Sequence, residues 1–183
     1  MQEKYDWHAM PRIGTIYTPF TVETAPMHWK LAEGVAGRTG VVGRIVIEDE
    51  FAPGLRGITR QKYSHYMLFY GFHESESFNN PDKCKLTMET EEGELGVFAT
   101  RSSERPSGLG FCVVKLLRVH KKDCYYPTML WVENVEMADG SPLYDIKPYD
   151  PIDNVEDAAS GRVGSMISSL LKKQSYLSSE PRV

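Results

Sequence analysis

The strongest constraint on how this chain can fold is its alternation of short β-forming segments with glycine and proline. Ile13-Gly-Thr-Ile-Tyr17 is extended and stops before Pro19, and Gly40-Val-Val-Gly-Arg-Ile-Val-Ile47 is rich in β-branched residues. Lys62-Tyr-Ser-His-Tyr-Met-Leu-Phe-Tyr-Gly-Phe-His73 mixes aromatic and aliphatic side chains without a helical period. Gly96-Val-Phe-Ala-Thr100, Gly110-Phe-Cys-Val-Val-Lys-Leu-Leu-Arg-Val119, Cys124-Tyr-Tyr126 and the run from Met129 to Met137 also read as strands. Such residues suit a pleated surface, and the intervening glycines and prolines break it. The pattern predicts a mainly β fold, a barrel or sandwich of mixed strands. Glycines inside several strands fit the tight bends of a small closed or partly open β-barrel.

The last stretch has a different period. Val163, Met166, Ile167, Leu170 and Leu171 fall at i, i+3, i+4, i+7 and i+8, an apolar stripe on one face of a helix. A stripe of this kind packs on its own core or on a partner subunit. The expected organisation is therefore a β domain over residues 1–153 and a helical C-terminal tail over 154–183, frayed from Ser178 onward.

With 183 residues, 41% of them hydrophobic and 25% charged, the chain can bury one globular core. No apolar run approaches the ~20 residues that cross a bilayer, so no membrane partner is expected. The opening Met1-Gln-Glu-Lys-Tyr-Asp-Trp-His8 does not read as a secretory leader. Cys84, Cys112 and Cys124 are odd in number and widely spaced, which argues against a disulfide framework and points to a reducing, cytoplasmic setting. The net charge of −4 makes any nucleic-acid role depend on a local patch. Local asymmetry exists: residues 74–96 carry seven acids against Lys83 and Lys85, whereas residues 101–122 carry six bases against Glu104. Charge runs ordinarily mark solvated faces.

Common chemical signatures are absent. There is no Gly-rich dinucleotide or phosphate loop after a strand, and no His-Glu-x-x-His zinc motif. His65 and His73 lie an even eight residues apart but lack a third ligand, so no metal is expected and a structural role is favoured. Cys112, between Phe111 and Val113, reads as an inert buried thiol. Two segments exceed structural needs. Gly96-Val-Phe-Ala-Thr-Arg-Ser-Ser-Glu-Arg-Pro106 puts two guanidiniums around hydroxyls at a strand exit, a ready site for a carboxylate or phosphate. Asp139-Gly-Ser-Pro-Leu-Tyr-Asp-Ile-Lys-Pro-Tyr149 follows a turn with an acid, a base and a phenol; an Asp145 ion pair bracing the barrel is the structural alternative.

At these segments the sequence resembles the TrmO (YaeB/TsaA-like) family, whose bacterial members are tRNA N6-threonylcarbamoyladenosine methyltransferases. Ile13-Gly-Thr-Ile-Tyr-Thr-Pro-Phe20 is similar to the family's opening Ile-Gly-x-Ile-x-Ser-Pro. Phe51-Ala-Pro-Gly-Leu-Arg-Gly-Ile58, Tyr63-Ser-His-Tyr66 and Phe72-His73 resemble its Gly-Leu…Phe-Ser-His…Phe-His segment. Gly96 to Ser102 with Arg105-Pro106, and Asp139 to Tyr149, match its two longest motifs.

The resemblance implies a β-barrel that binds S-adenosylmethionine without a Rossmann sheet, usually as a homodimer with ligand near the subunit contact. It places donor-binding positions at Thr24, Ala25 and Pro26, Phe72 and His73, Arg101, Phe111, and Glu133, Asn134, Val135 and Glu136. Aromatic walls, an arginine for the carboxylate and an acid for the cationic end suit that ligand. Methyl transfer is an in-line displacement that needs no metal, so positioning dominates. Asp145 and Tyr149 are the candidates to position or deprotonate the acceptor nitrogen, with Lys147 stabilising a developing oxyanion. Two departures from the pattern stand out. Ser107-Gly-Leu-Gly110 replaces the usual Asn-Pro-Ile-Gly, and Met88-Glu-Thr-Glu-Glu-Gly-Glu94 is acidic where bacterial members carry arginines. Acids beside the site oppose phosphate contacts. The acceptor is therefore expected to be tRNA, with a small molecule or protein as the alternative and a non-catalytic donor-binding module as the third.

Overall fold

The structure is a computed structural model that describes residues 9–26, 28, 30, 40–78, 80–90, 93–159, 161, 164, 165 and 169. Eight strands form: β1 (Gly14–Tyr17), β2 (Val42–Ile47), β3 (His65–Gly71), β4 (Thr87–Thr90), β5 (Gly93–Gly96), β6 (Leu109–His120), β7 (Met129–Glu133) and β8 (Ser141–Pro148). Six of them close into a barrel in the order β1-β2-β7-β6-β3-β8, and β4-β5 is a separate two-stranded hairpin. All the pairings are antiparallel, a correction to the expected mixture of directions. β1 completes the circle although it has only four residues, because it pairs with β2 on one side and β8 on the other. Closure leaves no barrel edge to recruit another strand.

Alternation decides what fills the interior. Every barrel strand contributes a fully enclosed apolar side chain: Ile16, Ile45, Leu68, Val114, Leu130 and Leu143. A barrel this narrow has room for side chains and not for a ligand, so any binding site must lie outside it. Two register shifts break the alternation: Tyr144 of β8 is extra opposite Phe69 and Tyr70, and Leu117 of β6 is extra opposite Val132 and Trp131. Such bulges re-aim the side chains that follow.

Several sequence expectations differ from the structure. Val97–Ala99 is a 3-10 turn and not a strand, because Arg105 gathers the carbonyls around it. The segment at 124–126 is a turn, since the Asp123 carboxylate accepts from both the Tyr125 and Tyr126 amides at 2.8 Å. β7 stops at Glu133 because Asn134 takes φ 76°, a left-handed conformation that asparagine tolerates. The polar run from Ser141 forms β8, whose small and apolar residues Ser141 and Leu143 face inward. A one-turn helix, Pro151–Asp153, follows and is capped by Asp150. The expected helical tail lies largely outside the described residues, as do all five residues of its apolar stripe; Gly164, Ser165 and Ser169 are helical.

If the interior is packed as described, Leu143→Ala should cost about 2–5 kcal/mol, because a fully enclosed side chain leaves a cavity. Urea titration followed by circular dichroism measures this. A loss below about 1 kcal/mol would contradict the packing.

Candidate functional site

A cavity of about 990 Å³ flanks the end of the barrel at which β1, β3 and β7 finish and β6 and β8 begin. One wall is the sheet itself. Tyr70 at the end of β3 faces Gly110 of β6, and a Cβ at residue 110 would lie 2.5 Å from the tyrosine ring and 3.0 Å from that of Phe72. Only glycine permits this approach, which lets Tyr70 and Phe72 pack edge to face with centroids 5.4 Å apart. Phe111, Met137 and the hairpin residues Met88 and Leu95 extend the apolar lining.

The loop after β5 supplies the cation. Arg105 donates from Nε to Ser102 O at 2.9 Å, and from one terminal nitrogen to Thr100 O at 2.7 Å and Val97 O at 3.2 Å. Thr100 Oγ1 adds a bond to Val97 O, and Ser102 Oγ accepts from the Glu104 amide. The two guanidiniums of this segment therefore have different jobs: Arg105 holds the loop together, while Arg101 is exposed and lines the cavity.

The opposite rim is built by the loop after β1 and the chain after β7. Asp139 Oδ1 accepts from the Thr18 amide at 2.9 Å, and Thr18 Oγ1 donates to Met137 O at 2.8 Å. Thr24 Oγ1 accepts from the Thr21 amide, so its hydroxyl serves the turn that presents Ala25 and Pro26 to the cavity. The left-handed kink at Asn134 ends β7; beyond it Val135 and Met137 pack on the core, and Glu136 between them lies on the cavity wall.

The electrostatics of the wall follow from the proximity of these groups. Burial pushes the Tyr70 phenol well above its usual range, with the Cys112 thiol and Glu136 adding to the shift and Arg101 opposing it. Burial likewise pushes the Cys112 thiol well up, again with Glu136 adding and Arg101 opposing. His28 is pushed below the usual imidazole value by burial, with Lys30 and Arg101 contributing. Arg101 and Glu136 thus present opposite charges to the same aromatic wall.

Of the sequence candidates, the structure brings Ala25, Pro26, Phe72, His73, Arg101, Phe111 and Glu136 together around the cavity. Glu133, Asn134 and Val135 have other contacts: Glu133 pairs with Lys115 at 3.3 Å, Asn134 is buried against Gly40, and Val135 is in the core. Asp145, Lys147 and Tyr149 lie off the cavity wall, on or just beyond β8. Asp145 and Lys147 are 3.5 Å apart, and Lys147 Nζ lies 5.3 Å from the centroid of the Phe69 ring. Asp145 pairs with Phe69, which pairs in turn with Phe111, so one row of the outer sheet face connects this acid to the cavity edge. Tyr70, Met137 and the hairpin pair Met88 and Leu95 were not singled out from sequence; the period-2 pattern across Gly110 was the available signal for Tyr70. Among the described residues no cluster of three or more His, Cys, Asp or Glu side chains could hold a metal ion, and no helix is long and apolar enough to cross a membrane.

Barrel and flank cavity together define a class: a small closed antiparallel barrel whose ligand space is built outside the barrel by loops. The model of the tRNA-methyltransferase O N-terminal domain matches residues 16–154, and the chain belongs to that family. It is 34% identical over 140 residues to an S-adenosyl-L-methionine-binding protein of Archaeoglobus fulgidus, covering 76% of this chain and 87% of the relative. It is 28% identical over 153 residues to the tRNA (adenine(37)-N6)-methyltransferase of Escherichia coli, covering 81% of this chain and 61% of that enzyme. The crystal structure of TrmO from Pseudomonas aeruginosa superposes with a TM-score of 0.62 at 28% identity, over 89% of this chain and 64% of that one. This chain therefore spans less than two thirds of the Escherichia coli enzyme and of the TrmO structure.

Two measurements check the site's construction. Arg105→Ala should destabilise the protein by at least about 2 kcal/mol, the worth of one of its three charged-donor hydrogen bonds, whereas Arg101→Ala should leave the melting temperature unchanged. Equal melting shifts for the two would contradict the division of labour. Because burial raises the Cys112 thiol, it stays protonated at pH 8. Iodoacetamide should modify exposed Cys124 in the native protein and reach Cys112 only after denaturation. Peptide mapping reads the outcome, and early labelling of Cys112 would refute its burial.

Proposed function

We propose that the flank cavity binds S-adenosylmethionine and that the protein is a methyltransferase. The observation that carries this reading is the placement of Arg101 and Glu136 beside the same aromatic wall of the cavity. The donor set fits the molecule. Arg101 would hold the carboxylate, Glu136 the cationic end, and Phe72 and Phe111 an apolar face against adenine. His73, 3.4 Å from Glu74 and from Ser141 Oγ, supplies a polar edge beside them. When bound, the donor supplies a methyl group already activated on a sulfonium. The chain's own task is then to exclude water and align an acceptor.

A tRNA adenosine is the acceptor that the family points to, and threonylcarbamoyladenosine beside the anticodon is the specific form we infer. Asp145, on the row that runs through Phe69 to Phe111, would accept a hydrogen bond from the acceptor N–H, with Lys147 and Tyr149 beside it. A second reading, a small-molecule or protein acceptor, is favoured by one observation: Glu74, Glu76 and Glu104 line the cavity on the side of the β4-β5 hairpin, where they would repel phosphates. Exposed Phe98 and Phe111 near the cavity support a homodimer that covers it. The setting we infer is the cytoplasm.

Calorimetry with S-adenosylmethionine should give one site per chain. Arg101→Ala should weaken it by roughly ten- to a hundredfold, the worth of one charge-assisted contact. Mass spectrometry of nucleosides from tRNA incubated with protein and labelled donor should show methyl transfer to adenosine derivatives, and Asp145→Asn should lower the rate without changing donor affinity. Donor binding with methyl transfer to a small metabolite or protein would select the second reading. No binding heat from folded protein would overturn the donor assignment.

A further inference from the structure

The outer face of β1, β2, β7 and β6 carries a feature that the donor cavity does not use. Tyr17 of β1 pairs with Arg44 of β2, Arg44 with Trp131 of β7, and Trp131 with Arg118 of β6. Four adjacent strands thus present ring, guanidinium, ring, guanidinium in one row, and the row holds no acid. It spans three strand spacings, about 14 Å. Tyr17, Trp131 and Arg118 are exposed, with Trp131 38% accessible in a sheet whose inner face is closed.

The row depends on the β6 bulge. Leu116 pairs with Val132 and Arg118 with Trp131. In an unbulged ladder Leu117 would stand opposite Trp131 and Arg118 would point into the apolar barrel. The inserted residue puts the guanidinium outside, beside the indole, and leaves Val119 to pack on the core.

A shallow cleft of about 340 Å³ opens along the row, lined by Tyr17, Thr18, Pro19, Arg44 and Trp131 among others. The Arg44 guanidinium lies 4.9 Å from the centroid of the Tyr17 ring, and its enclosed Nε has no hydrogen-bond partner. Neither Arg44 nor Arg118 has a carboxylate partner among the described residues. Rings that offer flat faces beside unneutralised guanidiniums suit a ligand that alternates flat bases with anionic linkers.

The cleft also adjoins the donor cavity. Thr18 lines the cleft, and its hydroxyl bonds the carbonyl of Met137, which lines the cavity. A strand lying on the row would therefore reach the cavity over the Thr18–Met137 wall.

We propose that the row Tyr17-Arg44-Trp131-Arg118 is a docking strip for unpaired nucleotides of an RNA. The bases stack on Tyr17 and Trp131, Arg44 and Arg118 hold the backbone, and the next nucleotide passes toward the cavity. Only that last step rests on the methyl-donor reading; the strip itself stands without it.

The test uses the full chain with a fluorescein-labelled RNA hairpin bearing an unpaired loop, and the fully paired duplex of the same stem. Anisotropy should show salt-sensitive binding that favours the hairpin. Arg118→Gln and Trp131→Leu should each weaken hairpin binding by about tenfold and leave duplex binding unchanged. Both changes are on the solvent face, and unchanged melting curves verify folding. Calorimetry with S-adenosylmethionine on the same variants should match wild type, which separates failure of the strip from failure of the donor site. Hairpin affinity equal in wild type and both variants, or no hairpin binding at low salt, would overturn the proposal. So would light scattering in which Trp131→Leu dissociates an oligomer while hairpin affinity stays the same, because the row would then be a self-association face.

Discussion

Three carbonyls gathered by one guanidinium hold the functional flank of this protein in place. Arg105 bonds Val97, Thr100 and Ser102, and by doing so folds the strand exit back on itself as a 3-10 turn. Without that clamp the Thr100 and Ser102 carbonyls lose their charged donor, and nothing comparable holds the turn that presents Arg101 to the cavity. The arrangement separates two residues of identical chemistry by role: one is saturated by the protein, the other keeps its donors for a ligand. The site's cation is therefore presented by the fold, and among the described residues it has no ion pair that a ligand would have to break.

The barrel explains why the site is external. Six strands enclose only side chains, so ligand space has to be made by loops leaving the strand ends and by the β4-β5 hairpin. Local irregularities do most of this shaping. Asn134 in a left-handed conformation ends β7 two residues before Glu136, and Gly110 leaves space for the Tyr70 ring. The β6 bulge re-aims Arg118. Each is a one-residue departure from regular geometry with a consequence at the surface, on a scaffold whose core is otherwise regular.

Most strands were legible in the sequence because β-branched and aromatic runs between glycines have few other ways to fold. β8 was not, since Ser141, Asp145 and Lys147 lie on a strand with polar residues on its outer face and read as a loop. Residues 124–126 misled in the other direction, aromatic in content but bound into a turn by the Asp123 carboxylate. Arg101 and Glu136 were recoverable through family motifs, while the separate job of Arg105 was not, because hydrogen bonds to carbonyls leave no pattern in the chain. The Tyr17-Arg44-Trp131-Arg118 row was invisible for a related reason. It depends on cross-strand register and on one bulge, and neither can be read from local spacing.

The central claim is that a methyl donor occupies the flank cavity between Arg101 and Glu136. A crystal structure with S-adenosylhomocysteine, the demethylated product, tests it most directly. The account predicts ligand density in that cavity, with its carboxylate on the Arg101 guanidinium and its adenine against Phe72 or Phe111. Ligand bound elsewhere on the barrel, or in the cavity with its carboxylate away from Arg101, would contradict the account.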